Sequence, residues 1–158
     1  MSDLRVGQGF DIHPFSDNFK KPLVLGGVVF DGPGLAGHSD GDVVAHACAD
    51  ALLGAAGLDD LGQMFPDTDP SFANADSLSL LNSTVNELAN NGWEIVNVDC
   101  VVILEEPKLA SHRKKMQDLL AEIVKAQVSV RGRRAEGLGP IGQAEGIACL
   151  AVALIRRS

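Results

Sequence analysis

The chain has 158 residues, and its 21 Asp and Glu outnumber 13 Lys and Arg to leave a formal charge of −8. With 46% hydrophobic and 22% charged residues it is globular in composition and long enough to build a core without disulfides. The acidic balance argues against a nucleic-acid surface, which needs clustered Lys and Arg, and against charge-driven binding to anionic membranes.

In chain order, the N-terminus from Met1 to Arg5 lacks a basic flank followed by an apolar run, so no signal peptide is expected. Leu4 to Phe10 reads as a first strand. Leu23 to Phe30 reads as a second, whose Gly26 and Gly27 suggest a bulge or a close backbone approach. Ser39 or Asp40 can cap a helix running from about Asp42 to Ala56. The stretch from Gly57 through Pro70 is irregular and polar. A second helix is expected from Asp76 to Asn90, with Ser77, Leu80, Leu81, Thr84, Val85 and Leu88 inward. Trp93 to Leu104 is a long strand that Pro107 stops. Lys108 to Lys125 is a third helix, with His112 on its solvated basic side, and Val128 to Arg131 is a short strand. Gly146 to Ile155 is apolar at almost every position, so its period is undecided. Its Ala and Leu content favours helix. Helices and strands interleaved in one domain mean α/β or α+β. No stretch approaches the ~20 apolar residues of a membrane span. Cys48, Cys100 and Cys149 form no CxxC pair and read as small buried thiols of a cytoplasmic protein.

Three constellations carry chemistry. Asp11 and His13 sit two apart in an extended segment, so both side chains point to one side. A carboxylate and an imidazole are typical zinc ligands. His46, one helical turn beyond Asp42, supplies a third and leaves a coordination position open. The alternative for His46 is a partly buried histidine bonded to a backbone carbonyl. In His38-Ser39-Asp40-Gly41-Asp42, a capped helix start competes with a site that uses His38. In Pro66-Asp67-Thr68-Asp69-Pro70, a rigid turn competes with carboxylates that assist a metal or a sugar hydroxyl.

Gly9-Phe10-Asp11-Ile12-His13, the segment Gly37 to Val43 with His46, Asp60-Leu61-Gly62, and Phe65 to Pro70 resemble the 2-C-methyl-D-erythritol 2,4-cyclodiphosphate synthase family. Glu105-Glu106-Pro107-Lys108-Leu109 and Glu145 to Ala148 extend the likeness over essentially the whole chain. The resemblance implies a single α+β domain over residues 1–158, assembled as a homotrimer with sheets facing the threefold axis and active sites at subunit interfaces. It implies a phosphorus-oxygen lyase of the non-mevalonate pathway of isoprenoid (terpenoid) biosynthesis. The substrate would be 4-diphosphocytidyl-2-C-methyl-D-erythritol 2-phosphate, a cytidine diphosphate compound, and the products the cyclic diphosphate and CMP. By matching positions, Asp11, His13 and His46 would hold zinc. Glu136 would hold magnesium or manganese with the diphosphate. His38 and Ser39 would contact the erythritol phosphate end, with His38 and Glu136 catalytic. Asp60 would meet the ribose, Gly62 the substrate backbone and Asp67 the methylerythritol. Leu104 to Ala110, with Pro107, Lys108, Leu109 and Ala110, would receive the cytosine from a neighbouring subunit.

The chain departs from the family where threonines are usual: Arg133, Arg134 and Ala135 precede Glu136, and Gln143 stands for an arginine of the central channel. Arg131, Arg133 and Arg134 form a basic cluster expected to face the diphosphate, since guanidinium is a strong phosphate partner. Retained activity is the favoured reading. The alternatives are a trimeric zinc protein that binds cytidine nucleotide or an isoprenoid with weak or no turnover, and a zinc phosphohydrolase.

Overall fold

In the computed structural model, which describes residues 3–73 and 75–158, the chain opens with strand β1 (Leu4–Pro14). Met1 and Ser2, at the N-terminus read for a signal peptide, lie outside the described residues. Along β1 the side chains alternate. Gly7 and Gly9 are buried, Asp11 and His13 follow on their face, and Val6, Phe10 and Ile12 are exposed on the other.

The expected second strand is instead a hairpin, β2 (Leu23–Leu25) and β3 (Val28–Phe30). Its turn residues Gly26 and Gly27 have φ of 57° and 77°, which a two-residue turn of this kind demands and glycine supplies without strain. Helix α1 (Val43–Ala56) follows, capped by Asp42 rather than by Ser39 or Asp40. Asp42 is fully buried, and its carboxylate accepts N–H from Val44 and Ala45 of the helix and from Gly26 and Gly27 of the hairpin. The cap therefore also ties the hairpin to the helix. The stretch expected to be irregular contains a short helix, α2 (Leu61–Met64), and a 3₁₀ turn at Pro70–Phe72, each capped by an aspartate, Asp60 and Asp69.

Next come α3 (Ser77–Asn90), β4 (Trp93–Ile103), α4 (Arg113–Val124), β5 (Gln127–Arg133), a single turn α5 (Gly139–Gly142) and β6 (Gly146–Arg157). The third helix begins five residues later than its sequence suggests, because Leu109 is used as a core side chain from an extended loop. His112 is half-buried against Phe30, with ring centroids 4.7 Å apart, rather than fully solvated.

The segment from Gly146 is a strand, not a helix. β6 lies second in the sheet order β1-β6-β4-β5, antiparallel to both of its neighbours. Ala and Leu favour helix only weakly, and a full ladder of hydrogen bonds on both edges overrides that preference. β4 and β5 are parallel and joined through α4, so the sheet is mixed and the class is α+β.

One sheet face carries α1. There the contact is backbone to backbone: a Cβ added to Gly7 or Gly9 would stand 2.1 Å from the carbonyl oxygen of Ala51 or Ala47. Small residues on both sides let strand and helix approach this closely. The core between them and around α3 and α4 is mostly Leu, Val, Ile and Ala, with Phe30, Trp93 and Met116 among them. Cys48, Cys100 and Cys149 are all buried and free, and the Sγ atoms of Cys48 and Cys100 lie 3.3 Å apart. Among the described residues no helix is long and apolar enough to cross a membrane.

Candidate active site

The close packing of β1 on α1 sets up the site. Gly7 meets Ala51 and Ala55, and Gly9 meets Ala47 and Ala51. Two residues further along the same strand face, Asp11 therefore arrives beside His46 in the first turn of α1. Asp11 Oδ2 lies 3.1 Å from His46 Nδ1 and 3.2 Å from His13 Nε2. One ligand atom from each of the three residues falls within 4.8 Å of the others. The donor set, two imidazoles and one carboxylate converging from two rigid elements, fits a divalent cation with coordination positions left open. The alternative for His46, a bond to a backbone carbonyl, is not what its ring makes.

Burial pushes the Asp11 carboxyl up, but hydrogen bonds and charge from His13 and His46 more than offset this and leave it at about 2. Burial likewise pulls His46 down, and the bond and charge of Asp11 outweigh it, so the ring sits above its ordinary value. On its far side, His46 Nε2 lies 2.8 Å from Ser77 Oγ and 3.3 Å from Ser39 Oγ. Ser77 in turn bonds Asp40 through both its hydroxyl and its backbone N–H. The loop carrying His38 and Ser39 is strapped by Lys21, whose Nζ donates to the carbonyls of Gly37 at 3.1 Å and Ser39 at 3.0 Å.

Two cavities flank the triad. One of about 270 Å³ is lined by His13, His38, Ser39, His46, Gly62 and Asp67, with Phe65 and Phe72 packed edge to face at its wall. The other, about 330 Å³, brings Asp60 and Gly62 to Asp11 and His46. A third, of about 310 Å³, lies across the sheet at the ends of β4 and β5. It is lined by Leu104 to Ala110 together with Arg113, Gly132, Arg133 and Arg134.

The sequence profile of the YgbB family matches residues 4–156 of this chain. The chain belongs to the YgbB family. Similar proteins include the 2-C-methyl-D-erythritol 2,4-cyclodiphosphate synthases of Rubrobacter xylanophilus and Enterococcus faecalis. The first is 51% identical over 100% of this chain and 98% of its own length. The second is 43% identical over 98% and 99%. Among solved structures, IspF from Plasmodium falciparum in a CDP complex aligns with a TM-score of 0.86 at 33% identity, covering 100% of this chain and 99% of that one. The bifunctional IspDF from Campylobacter jejuni aligns with a TM-score of 0.94 at 39% identity, and this chain spans 43% of its length.

Against the other positions expected of a YgbB member, the structure separates the arginines. Arg131 bonds Asp99 at 2.6 Å on the sheet face away from α1, so it does not join a cluster with Arg134. Arg133 has the same strand register as Arg131 and borders the third cavity only at the strand end. Arg134 donates from Nε and a terminal nitrogen to Glu105 Oε2, and Glu105 Oε1 accepts the N–H of Ala135. Glu136 and Gln143 line none of the three cavities. Glu136 has φ of 54°, and Gln143 donates to the carbonyl of Gly137 at 2.8 Å. Sequence reading overlooked Ser77, Lys21 and Arg113. Ser77 looked like a buried helix position, and nothing local links it to His46, which lies 31 residues away.

Proposed function

We propose that the chain is a 2-C-methyl-D-erythritol 2,4-cyclodiphosphate synthase, a cytoplasmic phosphorus-oxygen lyase of isoprenoid biosynthesis. The observation that carries the reading is the convergence of Asp11, His13 and His46 beside the cavity of His38, Ser39, Gly62 and Asp67. It occurs in a chain that curated synthases match over nearly their whole length.

In this reading the 2-phosphate oxygen of the substrate attacks the β-phosphorus, the bond from that phosphorus to the CMP oxygen breaks, and CMP leaves. Nucleophile and electrophile belong to one molecule, so the chain has only to hold them in line. That agrees with its three buried cysteines, none of which lines any of these three cavities. Asp11, His13 and His46 would hold zinc, and Glu136 would hold magnesium or manganese brought with the diphosphate. Bound there, the cations supply positive charge against the phosphate oxygens. Ser39 Oγ accepts the Gly41 N–H at 3.2 Å, which leaves its hydroxyl proton for the erythritol phosphate end, beside His38. Asp60 takes the ribose hydroxyls and Asp67 the methylerythritol.

The third cavity takes the cytosine, with Pro107, Lys108, Leu109 and Ala110 at its wall and Arg134 and Ala135 near the phosphates. It lies at the β5 edge, three strand spacings or roughly 14 Å from β1. A homotrimer in which β5 of one chain abuts β1 of the next would bring this cavity beside a neighbour's triad.

Turnover of the authentic substrate with zinc and magnesium tests the proposal, with His46→Ala as control. Release of CMP with a cyclic product is expected. No CMP above the control overturns it, leaving a binding protein if cytidine nucleotide is still held. Inorganic phosphate as product would instead mark a phosphohydrolase.

A further inference from the structure

The hydrogen bonds of His46 run on to two residues outside the ligand set, Ser77 and Asp40. The Asp40 carboxylate can only accept. Its Oδ1 receives the N–H of Asp42 at 3.0 Å and the Ser77 hydroxyl, and its Oδ2 receives the N–H of Ser77 at 3.1 Å. Ser77 Oγ has a single proton, and the carboxylate takes it. The contact from Ser77 Oγ to Ser39 Oγ, at 3.5 Å, is the weaker competitor for that proton. Ser77 Oγ must then accept at its remaining short contact, His46 Nε2 at 2.8 Å, so Nε2 carries hydrogen. In a neutral ring this leaves the lone pair on Nδ1. Yet Nδ1 faces another acceptor, Asp11 Oδ2, at 3.1 Å. Two lone pairs at that distance need an electrophile between or beside them: a second ring proton in the charged, metal-free imidazolium, and a divalent cation in its place when the site is loaded.

We infer that Asp40 and Ser77 are the positioning residues of the metal centre: they fix the tautomer and ring orientation of His46 so that Nδ1 is its ligand atom. The inference rests on the metal reading of Asp11, His13 and His46. Ser77 is 1% exposed and opens α3, while Asp40 lies in the loop before α1, so the pair also ties two elements behind the ligand. Partners of this kind typically change metal affinity by about 10–100-fold when removed, because an unfixed imidazole must be reoriented at the cost of binding.

The test titrates the full chain, stripped of metal, with zinc alone against a chromophoric chelator. It compares the wild type with Ser77→Ala, Asp40→Asn and His46→Ala, and circular dichroism reports folding. The expected result is zinc affinity weakened by about 10–100-fold in Ser77→Ala and in Asp40→Asn. In the zinc-loaded wild type, the His46 Nε2–H proton should give a slowly exchanging resonance that Ser77→Ala loses. A merely structural role for Ser77 would move the melting temperature and leave that resonance in place. If the wild type takes no zinc, or His46→Ala takes it equally well, the metal reading itself falls. If His46→Ala abolishes binding while Ser77→Ala and Asp40→Asn bind within about twofold of wild type, the metal site stands and the positioning role is overturned.

Discussion

Arg134 and Glu105 decide how the walls of the third cavity are held together. Two N–H groups of Arg134 converge on one oxygen of Glu105, and the other oxygen takes the Ala135 amide. Desolvation works against the Glu105 charge, but Arg134 and the backbone N–H groups outweigh it and hold the carboxyl below its ordinary value. The clasp joins the loop after β4 to the segment after β5, which are the two walls of the third cavity. Arg134→Ala is therefore expected to weaken CDP binding by about tenfold, as loss of one charge-assisted contact would. Lysine cannot reproduce the fork, so Arg134→Lys should recover little. Arg133→Ala, at a register position shared with Arg131, should stay within about twofold. Isothermal titration with CDP checks all three, and equal losses at 133 and 134 would refute the division. At the metal centre, a site-bound cation at about 100 times its dissociation constant adds about 2.7 kcal/mol. Zinc should accordingly raise the melting temperature of the metal-free protein by several degrees, and His46→Ala should abolish the rise. The pairing of Asp11 with His13 was legible in the sequence because strand alternation is local. The Asp40–Ser77–His46 chain was not, since its members meet only when α3 packs beside α1.

At the scale of elements, the position of His46 depends on two glycines that never touch it. Gly7 and Gly9 let β1 lie directly on α1, and the nearest atoms to an added Cβ are helix backbone, not a side chain that could swing away. Gly9→Ala must push strand and helix apart. Overpacking of this kind costs about 1–3 kcal/mol, or several degrees in melting temperature for a chain of this size. The shift also separates Asp11 from His46, so zinc affinity should fall with stability. A Gly54→Ala change, where the nearest atom is Gln8 O at 3.6 Å, should do neither. Thermal melts and chelator competition on the two variants check this, and a Gly9→Ala protein with wild-type zinc affinity would contradict it. The sequence marked this strand as glycine-rich but could not say what approached it. The same limit explains β6. Its continuous apolar run, Ile147 to Ile155, is what a central strand needs when its neighbours lie on both sides, and a buried helix would look alike. By contrast α3, with Leu81, Val85 and Leu88 inward at helical spacing, was legible almost to its ends.

For the whole molecule, the net charge of −8 conceals an uneven surface. Lys108, Arg113, Arg133 and Arg134 gather around one cavity at the β5 edge, outnumbering Glu105 and Glu106 on its walls. The metal triad sits at the other edge, in carboxylate-rich surroundings with Asp50 and Asp60. An acidic chain could serve an anionic substrate in this way, with arginines and lysine at one end and, once a cation is bound, metal-borne charge at the other. If the two halves belong to one site they must meet between chains, and the sheet face away from α1 offers a surface for it. Val6 and Phe10 of β1 are 69% and 52% exposed, and Ile12 and Val152 are 48% and 46%. Such a row of large apolar side chains on adjoining strands is costly to leave in water. A homotrimer closed by these faces would have a mass of roughly three times the 16.6 kDa of one chain. Replacing Val6 and Phe10 together by lysine and glutamate should yield monomers in sedimentation experiments, because each charge would be buried against an apolar partner. The triad is built within one chain, so the monomer should still bind zinc with close to wild-type affinity. Its CMP release should nevertheless collapse, since the cavity at the β5 edge would no longer stand beside a neighbour's metal centre. A monomer that turns over substrate at the wild-type rate would mean that one chain suffices, and the interface reading would have to be abandoned.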